Sequence, residues 1–193
     1  MIIGITGGTG CGKTTALQVF RELGGVTLDC DAIYHHLLTT DHALLNAIEN
    51  RFPGTIQNSV LDRKKLGRIV FEDKNALNDL NAITHSAVHK EVLRLIAGET
   101  RHIAVDAIAL FEGGLAPLCD HTVAITAPEE CRIQRLIARE GISEDYARAR
   151  IQAQRSQEEF IALCDHHLQN NTTEEDFRAK CLAFFQGLGI MKL

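Results

Sequence analysis

Apolar residues fall into two patterns along this chain. Short unbroken runs suit strands buried on both faces, and i, i+3, i+4 spacings suit helices. The run Ile2-Ile3-Gly4-Ile5 predicts a strand over Met1–Thr6. Lys13–Glu22 follows as a helix, with Ala16, Leu17 and Phe20 inward and Gly24-Gly25 as its stop. Val26–Asp29 reads as a second strand. The alternation then lapses. Residues 32–97 give helical segments at Ile33–Leu38, Asp41–Arg51, Arg63–Phe71, Lys74–Leu80 and Ile83–Ile96. A hairpin-like loop from Pro53-Gly54 to Asn58-Ser59 lies among them, and no strand is expected. Strands return at Ile103–Ile108 and Thr122–Ile125, and weakly at His166–Leu168. Pro128 opens a helix to about Arg139, and Gly141 breaks it. Ser143 caps a further helix to roughly Leu163, and Asp176–Leu188 closes the chain. Strands alternating with helices predict an α/β fold: a doubly wound parallel sheet of about five strands in one domain, 1–193. Residues 32–97 form its helical insertion.

Composition narrows the function. With 193 residues, 45% of them apolar, the chain can bury a substantial core. A net charge of −5, 5% aromatic residues and no Trp argue against nucleic acid as a partner. The six cysteines form no C-x-x-C pair, which excludes a zinc ribbon or a disulfide framework and fits a reducing compartment. No apolar run is long enough to span a bilayer, and the N-terminus reads as a buried strand instead of a signal peptide. These features predict a soluble cytoplasmic protein with no membrane partner.

The chemistry starts behind the first strand. Gly7-Gly8-Thr9-Gly10-Cys11-Gly12-Lys13-Thr14 fits G-x-x-x-x-G-K-[ST]. Glycines let successive N–H groups converge on an anion, and the following helix adds its positive end. Lys13 can reach the outer phosphates of a nucleotide, and the Thr14 hydroxyl can bind Mg²⁺. Cys11 puts a thiol beside those phosphates, so a thiol reagent is expected to inhibit and ATP to protect. Asp29 and Asp31 end the second strand, where open sheets bind ligands. One or both can take a proton or help hold the metal, while capping of the next helix explains one of them. Arg132, Arg135 and Arg139 share one helix face, with Arg148, Arg150 and Arg155 close behind. Such a row over residues 132–158 suits a lid over phosphates, although two or three of the six belong to a solvated face. Asp106 and Glu112 follow an apolar strand and are candidates for orienting metal-bound water or the acceptor.

The motifs together resemble one family. Thr6–Thr14, Asp29-Cys30-Asp31, Leu61-Asp62-Arg63 with Leu66 and Ile69-Val70-Phe71, and Leu80-Asn81-Ala82-Ile83-Thr84-His85 occur in the order found in dephospho-coenzyme A kinases. So do Leu110-Phe111-Glu112, Arg135-Leu136 with Arg139, Arg150-Ile151 with Gln154, and Asp165 with Asn170. Ile108 and Ser86 stand where that family carries prolines. The resemblance implies a P-loop NTPase-like fold with a helical acceptor-binding insertion (32–97) and a small helical lid (132–158). It implies transfer of the ATP γ-phosphoryl group to the ribose 3′-hydroxyl of dephospho-CoA, with Mg²⁺. Asp31, Lys13 and Arg139 are then catalytic, and Thr14 and Asp31 hold the metal. Gly8, Thr9, Gly10, Cys11, Gly12, Lys13, Thr14, Thr15, Arg135, Arg139 and Asn170 contact ATP. Asp29, Asp31, Arg63, His85, Leu110 and Glu112 contact the acceptor. Another small P-loop kinase of the nucleoside or nucleotide type is the alternative.

Overall fold

The computed structural model describes residues 1–191. Among the described residues, seven strands and nine α-helices follow in chain order. They are β1 (Ile2–Thr6), α1 (Lys13–Glu22), β2 (Val26–Asp29), α2 (Cys30–Thr40), α3 (His42–Arg51), β3 (Ile56–Gln57), β4 (Val60–Leu61) and α4 (Arg63–Glu72). Then come α5 (Lys74–Ala97), β5 (Ile103–Asp106), β6 (His121–Thr126), α6 (Glu129–Glu140), α7 (Glu144–Gln152), α8 (Gln157–Leu163), β7 (His166–Gln169) and α9 (Glu174–Gly187). The chain divides into two compact units: residues 29–99 with 111–115, and the remainder.

The larger unit is built on a five-stranded sheet in the order β2-β5-β1-β6-β7. β1 pairs in parallel with β5 and β6, and β6 with β7. β1 is thus central and buried on both faces, which is why it reads as an unbroken apolar run. Its core joins Ile3, Ile5, Val123 and Ile125 to Phe20 of α1 and to Phe177 and Phe185 of α9. Phe20 and Phe185 meet edge to face, 5.2 Å between ring centres. A separate small core of Ile133, Leu136, Ala147 and Ile151 joins α6 to α7.

The smaller unit packs α2, α3 and α4 around α5. Three expectations are corrected here or nearby. Residues 74–97 form one 24-residue helix, because nothing between Leu80 and Ile83 breaks it. Residues 32–97 also contain strands, a two-residue ladder of Ile56 with Leu61 and Gln57 with Val60. Its turn residues Asn58 and Ser59 have φ of 50° and 62°, the left-handed pair that matches strand twist. In the larger unit, the helix expected from Ser143 to Leu163 is two, α7 and α8. Ser156 accepts from Glu159 N and the Glu159 side chain accepts from Ser156 N, so a capping box restarts the helix.

Candidate active site

The loop of residues 7–12 joins the C-terminal end of β1 to α1. Its glycines are required by close approach as much as by backbone angle. A Cβ on Gly7 (φ +137°) would fall 2.1 Å from the Ile125 carbonyl oxygen, and one on Gly8 would fall 2.3 Å from Arg132 Nη2. One on Gly12 (φ +104°) would fall 2.2 Å from Asn170 Nδ2.

Those neighbours hold the loop by its main chain. Arg132, only 4% exposed, donates from Nε to Thr9 O at 2.9 Å and from Nη2 to Gln154 Oε1 at 3.4 Å. Gln154 Oε1 also accepts the Thr9 N–H at 2.8 Å. Arg135 donates from Nη1 to Gly10 O and from Nη2 to Asn170 Oδ1, both at 3.2 Å. Asn170 Nδ2 donates to Cys11 O at 3.0 Å. Lys13 Nζ donates to Gly7 O at 2.9 Å, keeping the ammonium on the loop. Burial lowers the Arg132 pKa, yet guanidinium remains a cation at any ordinary pH. Thr14 is exposed and Thr15 half-buried in the first turn of α1. Asp106 pairs in register with Ile5, at the same sheet edge as the loop.

The arginine row divides in two. Arg132 and Arg135 reach the loop. Arg139 is exposed and pairs with its neighbour Glu140 at 2.5 Å, and Arg150 pairs with Glu140 as well. Arg148 joins Glu129, Glu130 and Glu144, a solvated cluster of the kind expected for part of the row. Arg132 belongs to the arginine row and Gln154 to a family motif, and neither is among the expected site residues, yet both bind the loop. The signal for Arg132 was the i, i+3 spacing to Arg135.

Cys11 is corrected. Its thiol is 1% exposed and packed in the main core, and burial pushes its pKa up despite Lys13 and Arg132 nearby. Such a thiol reacts slowly, so it is no ready target for a thiol reagent. Leu110 is corrected too. It is fully buried, and a Cβ on Gly4 would fall 2.7 Å from its Cδ2, so it packs under β1.

The acid pair lies where β2 meets α2, and the helix starts earlier than expected, at Cys30. Asp29 is its N-cap, with Oδ1 accepting the Ala32 N–H at 3.0 Å. Asp31 sits in the first turn, exposed. Capping thus accounts for Asp29, one of the two acids. In the same smaller unit, Arg63 opens α4 beside Tyr34, Leu61, Leu66, Val70 and Leu80, which line a cavity of about 210 Å³. Burial raises the Tyr34 pKa, opposed by Arg63. His85 is half-buried on α5, and Glu112 is exposed.

A profile of the dephospho-CoA kinase family matches residues 1–176. A dephospho-CoA kinase of Carboxydothermus hydrogenoformans is 37% identical over 191 residues, covering 96% of this chain and 93% of that one. One from Geobacillus kaustophilus is 34% identical over 192 residues, covering 96% of each. Among solved structures, a dephospho-CoA kinase from Campylobacter jejuni superposes with a TM-score of 0.70 at 26% identity, covering 97% and 96% of the two chains. A shikimate kinase from Bacteroides thetaiotaomicron shares the fold, with a TM-score of 0.60 at 17% identity over 98% of each chain. A phosphate loop in this setting, matched along nearly its whole length by such relatives, is that of a kinase, and the chain belongs to the dephospho-CoA kinase family.

Proposed function

We propose that this chain transfers the γ-phosphoryl group of ATP to the ribose 3′-hydroxyl of dephospho-CoA, giving coenzyme A. The observation that carries the reading is the main-chain loop of residues 7–12, held by Arg132, Gln154, Arg135 and Asn170 in a chain of this family. Phosphoryl transfer asks the protein mainly for positioning and charge stabilisation. The loop amides and the start of α1 receive the phosphates of ATP. Lys13 moves from Gly7 O to the outer phosphates and neutralises charge there. Asp31 accepts the proton of the attacking 3′-hydroxyl, and the smaller unit, with Arg63, His85 and Glu112, binds the acceptor. Residues 132–158 act as the lid, and Arg139 turns from Glu140 to the transferring group.

Mg²⁺ suits the oxygen donors present. An exposed Thr14 hydroxyl and the Asp31 carboxylate are hard ligands, few in number, as this ion prefers when it arrives with phosphates. These two residues would hold it, and it would neutralise charge on the triphosphate. The enzyme acts in the cytoplasm on small molecules, as a monomer or weak homo-oligomer.

The test incubates the chain with ATP, Mg²⁺ and dephospho-CoA, or a panel of nucleosides and nucleotides, and identifies the phosphorylated product by mass and by its 3′-phosphate resonance. Coenzyme A is the expected product. Phosphate on a nucleoside or nucleotide, with dephospho-CoA untouched, refutes the assignment.

A further inference from the structure

Asn170 follows β7 and is 4% exposed. Its main-chain N–H donates to Thr126 O at 2.7 Å, tying it to the end of β6. Its carboxamide is engaged at both ends. Nδ2 donates to Cys11 O at 3.0 Å, and Oδ1 accepts from Arg135 Nη2 at 3.2 Å. The orientation is fixed by the partners, because a carbonyl needs a donor and a guanidinium needs an acceptor. The space beside Nδ2 is filled as well, since a Cβ on Gly12 would lie 2.2 Å from it.

The family resemblance puts Asn170 among the residues that contact the nucleotide. Its geometry points elsewhere. A residue that reads a base presents a hydrogen-bonding edge to the ligand. Asn170 instead spends one end on the phosphate loop and the other on an arginine, beneath the chain. In a trans peptide the C=O and the next N–H point in opposite directions. Holding Cys11 O therefore turns the Gly12 N–H the other way, as an anion nest requires. The same carboxamide fixes the Arg135 guanidinium, whose second arm holds Gly10 O. We infer that Asn170 is a positioning residue. It sets the Cys11–Gly12 peptide and Arg135 as one unit and acts on ATP only through them. The inference rests on residues 7–14 being the ATP-phosphate site.

The experiment measures the affinity of the full chain for ATP, GTP and inorganic tripolyphosphate, which has no base. Asn170→Ala and Asn170→Asp are each expected to weaken all three by the same factor, about tenfold, the size of one lost hydrogen bond with a charged partner. The Asp variant keeps the shape and an acceptor for Arg135 but sets a carboxylate oxygen against Cys11 O. It answers the question if the Ala variant does not fold. In a cycle with Arg135→Ala, the double variant is expected to lose less than the product of the two single losses. Four results overturn the inference: loss of ATP affinity with tripolyphosphate unchanged, a shifted ATP to GTP ratio, unchanged affinity for all three, or single losses that multiply. A wild-type chain that binds none of the three overturns the nucleotide-site reading instead.

Discussion

Gly8→Ala tests whether the phosphate loop depends on Arg132. Gly8 does not have a positive φ, so alanine is tolerated by the backbone. Sterically it is not, because the new methyl would lie 2.3 Å from Arg132 Nη2, 2.9 Å from Cζ and 3.1 Å from Gln154 Oε1. The guanidinium must leave, breaking its bonds to Thr9 O and Gln154. Losing a buried hydrogen bond from a charged donor, with the carbonyl left behind, costs about 3 kcal/mol. At 1.4 kcal/mol per decade that is a fall of roughly 100-fold in kcat/KM for ATP if the loop carries the whole loss. If the fold carries it, the melting temperature drops by roughly 6–12 °C for a chain of this size. Arg132→Ala removes the same bonds directly. The two substitutions therefore share one cause, and the double variant should resemble Arg132→Ala alone in both coupled kinase turnover and thermal melting. Gly7→Ala serves as control: its methyl meets the Ile125 carbonyl, which no side-chain substitution clears. Losses from Gly8→Ala and Arg132→Ala that multiply would refute the reasoning, as would a Gly8→Ala enzyme with normal turnover.

Lys13→Ala should abolish most turnover, while Asp31→Asn should lower kcat far more than ATP affinity; near-normal turnover in the latter removes Asp31 as the base. Arg139→Ala should reduce kcat strongly, and an unchanged rate would leave Arg139 only its pairing with Glu140. The Thr122 hydroxyl and backbone N–H hold the Asp165 carboxyl below its usual pKa. Its stabilisation is thus full above pH ~4 and fades as pH falls through the lower folded value, so Asp165→Asn should melt earlier at pH 7 and match wild type in strong acid. An equal melting difference at both pH values would sink that argument. Iodoacetamide at pH 7.5 should label exposed Cys131 long before Cys11, as peptide mass mapping would report.

The frame was legible because its signals are local. An unbroken apolar run, a glycine-rich turn and a lysine fix β1 to within one residue and α1 to the residue, and Ser143 does cap α7. The division of α7 from α8 was equally local, since Ser156 and Glu159 spell a capping box that arginine spacing overshadowed. The start of α2 is a subtler case. Asp29 and Asp31 read as a pair at a strand end, and only the bond from Ala32 N makes one a cap and the other a first-turn acid. The loop's supports could not be read from spacing at all. Arg132 and Gln154 meet Thr9 across 123 and 145 residues of chain, and Asn170 meets Cys11 across 159. The family motif names Asn170 as an ATP contact, but its bonds to Cys11 O and Arg135 and the burial of Leu110 appear only once the chain is folded.

The net charge of −5 raises a question that the loop answers. A chain repelled on average by a triphosphate must gather positive potential locally. At physiological ionic strength fields from exposed charges fade within about 8 Å, so distant acids count for little. Close to the loop stand Lys13, Arg132, Arg135 and the start of α1, with Asp106 the acid that Cys11 senses. Buried Arg132 is screened least, with Nε bonded to Thr9 O and Nη2 to Gln154 Oε1. It therefore adds positive charge beside the loop, while Arg135 holds Gly10 O and Arg139 pairs with Glu140. Replacing Arg132 with Lys keeps the charge and loses the fork, so shape and field separate in one variant. If ATP affinity follows the charge, Arg132→Lys keeps most of it; if it follows the hydrogen bond to Thr9 O, the lysine enzyme falls with the alanine one.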